Sequence, residues 1–226
     1  MTDFVFNDQA EGLVRRVGEG EIPITRINAV FRNPEAVAAF GFAQSFAADR
    51  NNFYPGMRAP LPEAFSAAFR PWLGRLLQRE FQQDTSYFSV VTTARAQLLP
   101  IQRIPHYDST HPGLFAVVIY LCDSRFSGTS FYRHRRTGYE EITEENRRNY
   151  QLALDNELRL LGPPEREYVN GDNALFETIF SNELLFNSAI VYPGRVLHAA
   201  NIRRGFEPPK TSADWRLTVT SLLQTA

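Results

Sequence analysis

The chain has four histidines, at positions 106, 111, 134 and 198, and two of them stand where an imidazole could bind a metal ion. In Pro105-His106-Tyr107-Asp108 an imidazole and a carboxylate are two residues apart. On a strand that spacing turns both side chains to one face, close enough to share an ion. His198 ends the late apolar run Pro193-Gly194-Arg195-Val196-Leu197-His198, where a second sheet edge could bring it beside the first pair. Two imidazoles and one carboxylate on one face of an ion leave positions open, which suits ferrous iron that must take a cosubstrate and dioxygen together. Zinc more often takes a tetrahedral set with fewer open positions. A surface turn holding a satisfied histidine would use the same residues, so the surrounding elements must separate the two readings.

The remaining candidates read more simply. His111, in Ser109-Thr110-His111-Pro112-Gly113, is a turn histidine, and Arg133-His134-Arg135-Arg136 reads as a solvated charged turn whose Arg133 is a candidate grip on a substrate anion. Cys122 is the only cysteine, which excludes a disulfide, a four-cysteine zinc site and a redox pair; on an apolar strand it reads as a small buried hydrophobe.

Elements able to position these residues are legible in the pattern of apolar positions. Ile22 to Arg32 alternates and predicts a first strand. Asn33 followed by Pro34 predicts the start of a helix over 34–50. A second helix begins near Leu61, its buried face marked by Phe65, Phe69, Trp72, Leu73, Leu76 and Leu77, with a kink expected at Pro71. Between the helices, Asn51 to Pro60 is rich in turn-formers and predicts an ordered loop or lid. Strands follow at Tyr87 to Thr93, Ala94 to Ile104, Leu114 to Cys122 and Thr129 to Arg133. A helix over 143–161, with Thr143 at its N-cap and Gly162-Pro163-Pro164 at its end, interrupts them. Strands resume at Leu185 to Tyr192, Val196 to Ala199 and Trp215 to Leu223. Helices first and strands after predict an α+β domain with a double-sheet jelly-roll core.

At 226 residues, with 43% hydrophobic and 22% charged residues and a net charge of −1, the chain reads as one folded domain without the basic excess of a nucleic-acid binder. Of its 24 cationic residues, Lys210 is the one lysine, so ammonium chemistry has a single candidate and carboxylate recognition falls to arginine. The start Met1-Thr2-Asp3-Phe4 lacks a signal-peptide pattern, and no apolar run reaches the roughly 18 residues of a membrane span. A cytoplasmic monomer or homodimer without membrane partners is expected.

Five segments in order resemble the iron(II) and 2-oxoglutarate-dependent oxygenases, in particular their prolyl-hydroxylase-like branch. Pro105-His106-Tyr107-Asp108 is similar to that family's His-x-Asp. Val117 to Asp123 resembles its Tyr-Leu-Asn-Asp strand, and Ser127-Gly128-Thr129-Ser130-Phe131 its Gly-Gly-Glu-Thr-x-Phe segment. Ala189 to His198 is similar to the strand leading to its distal histidine, and Arg216-Leu217-Thr218 to its Arg-x-Ser/Thr. Tyr54 to Arg58 resembles a Tyr-Pro-Gly-Met-Arg loop of an uncharacterised bacterial family within the superfamily.

The resemblance implies that His106, Asp108 and His198 hold Fe(II) and form the catalytic centre. It implies that Arg216 binds the distal carboxylate of 2-oxoglutarate, with Thr218 and Tyr120 as further donors. Dioxygen is the second cosubstrate, and succinate and carbon dioxide are released. A carboxylate at 108 points to hydroxylation of a C–H bond in an amino acid, a peptide or a small polar metabolite; desaturation, cyclisation, and a non-catalytic binding domain that keeps the ligand set are the alternatives. Tyr54, Arg58 and Arg133 are the expected substrate contacts. Arg216 follows His198 by 18 residues, so 203–214 must loop out, and Arg204 and Lys210 are rival anchors. The implied organisation is a double-stranded β-helix, cupin-like, built from 86–136 and 185–226. A helical support over 1–85 and an insertion over 137–184 complete the single domain.

Overall fold

The computed structural model describes residues 3–48, 53–123 and 126–225. Its larger sheet is antiparallel, with eight strands among the described residues: β1 (Gly12–Val17), β2 (Ile22–Ile27), β3 (Ala47–Ala48), β4 (Gly56–Pro60), β5 (Phe81–Val91), β6 (Leu114–Tyr120), β9 (Ser188–Pro193) and β11 (Leu217–Thr225). They lie in the order β1-β2-β9-β6-β11-β5-β4-β3. A smaller sheet has the order β10-β7-β8, formed by β7 (Thr129–His134), β8 (Phe176–Asn182) and β10 (His198–Ala200). The sheets face each other: Phe131 of β7 meets Tyr192 of β9 edge to face, with ring centres 5.0 Å apart.

The outer face of the larger sheet is covered by α1 (Pro34–Phe42) and α2 (Glu63–Leu77). Phe65, Phe69, Trp72 and Leu73 are the buried stripe of α2, as the three-to-four spacing predicts, and the helix runs through Pro71 without interruption. A third helix, α3 (Arg147–Leu161), packs on the far side of the smaller sheet, where Tyr150 and Leu154 join Tyr132 and Phe176 in one buried cluster. No helix among the described residues is long and apolar enough to cross a membrane.

Several expected elements come out differently. Residues 94–104 form two short 3-10 turns, Arg95–Gln97 and Pro100–Arg103, instead of a strand. Pro100 lacks the N–H a ladder needs, and the buried Arg103 ties the turn together by donating to the carbonyls of Leu98 and Pro164. The expected loop ending at Pro60 contains β4. Gly56 is required there because a Cβ would overlap the carbonyl oxygen of Val90 on the adjacent strand β5.

The first helix ends at Phe42, where the Gln44 side chain donates to the Phe40 carbonyl at 2.8 Å. Its expected end at residue 50 lies outside the described residues, as do Asn51 and Asn52. Residues 1–85 are therefore not a purely helical support, since β1 to β4 all join the larger sheet. The expected insertion over 137–184 likewise holds β8, an integral strand of the smaller sheet. At the start of α3, Asn146 occupies the N-cap position expected of Thr143.

Candidate metal centre

His106 and His198 are brought together by main-chain pairing. They sit opposite each other and exchange both hydrogen bonds, His106 N–H to His198 O at 2.9 Å and His198 N–H to His106 O at 2.8 Å. The imidazole rings lie 4.3 Å apart, centre to centre. Two residues on, the Asp108 N–H donates to Gly194 O at 2.7 Å, and Gly194 N–H donates in turn to Leu114 O at 2.9 Å. The Pro193-Gly194 turn thus holds the 106–109 segment, and strand alternation puts His106 and Asp108 on the same face.

Asp108 lies 3.6 Å from His198 Nε2 and 3.9 Å from His106 Nε2, and one donor atom from each of the three falls within 4.8 Å of the others. Ligands about 2.1 Å from a common ion at right angles would be about 3 Å apart. The set is therefore nearly closed on an ion-sized point.

The donor chemistry fits as well. His198 Nδ1 contacts the Val196 carbonyl at 2.9 Å, which requires a proton on that nitrogen and turns Nε2 toward Asp108. His106 is held well below the ordinary imidazole range, first by burial and then by His198 and Arg58, so it is neutral and able to ligate. Burial raises the Asp108 carboxyl, with His198 and Arg58 opposing. Protein encloses the site on most sides, yet the His106 side chain is 55% exposed, so one side of the trio stays open to solvent.

The larger sheet presents a polar inner row toward the same space. Register places Arg58, Ser89, Thr218, Tyr120 and Ser188 directly across β4, β5, β11, β6 and β9. The adjacent row, Ala59, Phe88, Val219, Ile119 and Ala189, faces the helices and is apolar throughout. Tyr120 is fully buried, its hydroxyl 2.8 Å from that of Thr129. Burial raises its pKa against the pull of Arg216 and Thr129, so it remains a protonated donor. The Thr218 hydroxyl donates to Ser89 O at 3.3 Å.

Arg216, next along β11's approach, is 3% exposed and lies 5.6 Å over the Tyr120 ring. Its Nε and one Nη donate to the carbonyls of Ser127 and Gly128 at 3.0–3.2 Å. Gly128 can offer its carbonyl there because it passes so close to Asn182 that a side chain would not fit. The space is shared: the phenol of Tyr192, whose ring lies 4.7 Å from that of His198, is raised well above its ordinary value first by burial and also by Asp108, with Arg216 opposing.

Tyr54 and Arg58 are not a detached lid. The Arg58 guanidinium lies 4.4 Å over the Tyr54 ring and 5.3 Å from that of Tyr87. Burial raises the Tyr54 phenol while Arg216 and then Arg58 lower it. Arg133, expected as a substrate contact, is instead committed to Glu140 at 2.6 Å, Glu177 at 2.9 Å and Glu19 at 3.0 Å.

His134, expected in a solvated turn, is fully buried. Its Nε2 is 2.9 Å from Glu157 of α3 and its Nδ1 2.9 Å from the Thr137 hydroxyl. His111 accepts from Gly113 N–H at 3.1 Å, as a turn histidine does. Among the rival anchors, Arg204 pairs with Glu165 at the surface and Lys210 is exposed. Ser89, Thr129 and Tyr192 escaped the sequence reading; their signal is a polar residue at an inward position of an otherwise apolar strand.

The two antiparallel sheets with flanking helices define an α+β fold shared with solved structures of low sequence identity. AviO1 from Streptomyces viridochromogenes Tue57 superposes with a TM-score of 0.51 at 12% identity, covering 93% of this chain and 90% of that one. HygX from Streptomyces hygroscopicus with iron bound gives 0.51 at 10% identity, covering 90% and 82%. HygX with nickel and 2-oxoglutarate bound gives 0.49 at 11%, covering 90% and 83%. No curated protein matches the sequence. The chain belongs to a family of unknown function, DUF6445, whose model matches residues 8–223.

Proposed function

We propose that the protein is a non-haem Fe(II)- and 2-oxoglutarate-dependent dioxygenase that hydroxylates a C–H bond of an amino acid, peptide or small polar metabolite. The observation that carries this is the convergence of His106, Asp108 and His198 on one point with a solvent-open side. The strand orders β5-β11-β6-β9 and 106-β10-β7-β8 support reading the core as a double-stranded β-helix, with β1, β2, β3 and β4 extending one layer. The likeness to HygX, solved with iron bound, supports the same fold assignment.

In this reading His106, Asp108 and His198 hold the iron. When bound, iron and the oxoacid together supply the oxidising chemistry, with dioxygen consumed and succinate and carbon dioxide released. The protein's own groups do the positioning. Arg216 is fixed by Ser127 and Gly128, and its remaining Nη1, without a partner among the described residues, is directed to the distal carboxylate of the oxoacid. Of the Tyr120 and Thr129 hydroxyls, one hydrogen is used between them and the other is left for that carboxylate. Thr218 must turn its hydroxyl away from Ser89 to add a third donor. The apolar inner residues Ile190 and Phe131 keep water from the buried end.

The test is succinate formation from 2-oxoglutarate under air with added Fe(II). Wild-type protein is expected to form succinate, and His106→Ala to lose it by about a hundredfold or more. Equal succinate from the two proteins, or none from the wild type at any iron concentration, would contradict the assignment.

A further inference from the structure

Arg58, one of the substrate contacts expected from the sequence, is a cation of this site that holds neither the metal nor the oxoacid in the proposed reading. Its side chain comes from β4, on the inner row, and its charge is felt at His106, Asp108 and Tyr54. The Nε is sealed from solvent and donates to nothing. Among the described residues the guanidinium has no hydrogen bond and no ion pair; what touches it are the faces of Tyr54 and Tyr87. Two rings give a cation attraction and a fixed plane, but they leave every N–H without an acceptor. Arg216, by contrast, already spends its Nε and one Nη on main-chain carbonyls.

Charge balance identifies what is missing, and here the inference rests on the proposed function. In the loaded site the metal dication, the Asp108 carboxylate, the dianionic cosubstrate and Arg216 cancel one another. Arg58 is the charge left over. A positive charge in a partly desolvated site is costly unless an anion joins it. A planar fork lying against two rings matches a carboxylate, two oxygens against two N–H groups. One surplus charge calls for a monoanion, which a carboxylate is and a phosphate monoester near neutrality is not.

We infer that the primary substrate carries a free carboxylate, and that Arg58 receives it, held in plane by Tyr54 and Tyr87, next to the metal. Arg58 is then the residue that selects acids over their neutral derivatives.

The experiment uses the full-length protein with Fe(II), in wild-type, Arg58→Gln, Arg58→Lys and Arg216→Gln forms. Affinity for 2-oxoglutarate is measured by anaerobic calorimetry, and succinate formation under air with panels of N-acetyl L-amino acids and their primary amides, which differ by one charge. Wild-type turnover is expected to be stimulated by at least one acid about 30-fold more strongly than by its amide. Arg58→Gln should lose that preference while binding 2-oxoglutarate like the wild type, which also shows that it folds. Arg58→Lys should keep part of the preference, and Arg216→Gln should lose 2-oxoglutarate binding. The inference is overturned if acids and amides act alike, if no acid stimulates, if glycerol 3-phosphate replaces the acids, or if Arg58→Gln itself loses 2-oxoglutarate. A wild type that binds no 2-oxoglutarate with iron present would instead break the proposed function.

Discussion

Two groupings of imidazole and carboxylate lie on opposite sides of the smaller sheet, and they are built for opposite ends. Around His134 every polar atom of the ring has a neighbour: Thr137 on one nitrogen, Glu157 on the other, with Tyr150 and Phe176 against its faces at 5.2 Å and no solvent access. Around His106 and His198 the nitrogens facing Asp108 have no donor between them and water reaches one side. The first arrangement stabilises a helix on a sheet. The second keeps lone pairs directed at a common point and leaves them for something else. Burial and partnership, more than residue type, separate a structural histidine from a ligating one.

That contrast can be broken by exchanging the damage. Asp108→Ala is expected to weaken Fe(II) binding about a hundredfold or more while leaving apo stability unchanged or slightly raised, because burial works against the carboxylate. Chelator competition and thermal unfolding of the apo protein would check the two halves. His134→Ala should do the reverse. Removing the ring strands Glu157 and opens a cavity, a cost of about 3 kcal/mol in chemical denaturation with unchanged metal affinity. A metal affinity that falls with His134, or a stability that collapses with Asp108, would erase the distinction.

A smaller effect sharpens the same comparison. Burial depresses the His134 pKa, with Glu157 opposing, so the folded protein resists a proton that the unfolded chain accepts near pH 6.5. The unfolded state therefore binds more protons below that pH, and stability falls as pH drops from about 6.5 toward the depressed folded value, by about 1.4 kcal/mol per pH unit for each such group. His106 adds to the slope in the apo protein. His134→Gln should remove one group's share. Identical pH profiles for wild type and His134→Gln would show that this imidazole is not held neutral.

The His-x-Asp motif was legible because its meaning is local; β6 and β9 were legible as short, mostly apolar runs, and β11 by its apolar Leu217, Val219 and Leu223 at alternate positions. What the sequence hid depends on neighbours distant in the chain. β1 is an exposed edge strand with no apolar alternation to betray it. β4 looks like a turn because Pro55, Gly56 and Pro60 are turn residues, yet Gly56 is there for close approach to β5.

His134 was misread from its arginine neighbours. On a strand adjacent residues point to opposite faces, so Arg133 and Arg135 say nothing of where His134 points. Arg58 followed the same rule in the other direction: its loop-like surroundings suggested a lid, while its register with Ser89 puts it on the inner row.

The most direct measurement is a crystal structure of the protein grown with Mn(II) and 2-oxoglutarate. The account predicts one ion bound by the Nε2 atoms of His106 and His198 and by the Asp108 carboxylate, with the distal carboxylate of the oxoacid on Arg216. An ion that omits any of the three side chains, or an oxoacid lying away from Arg216, would contradict it.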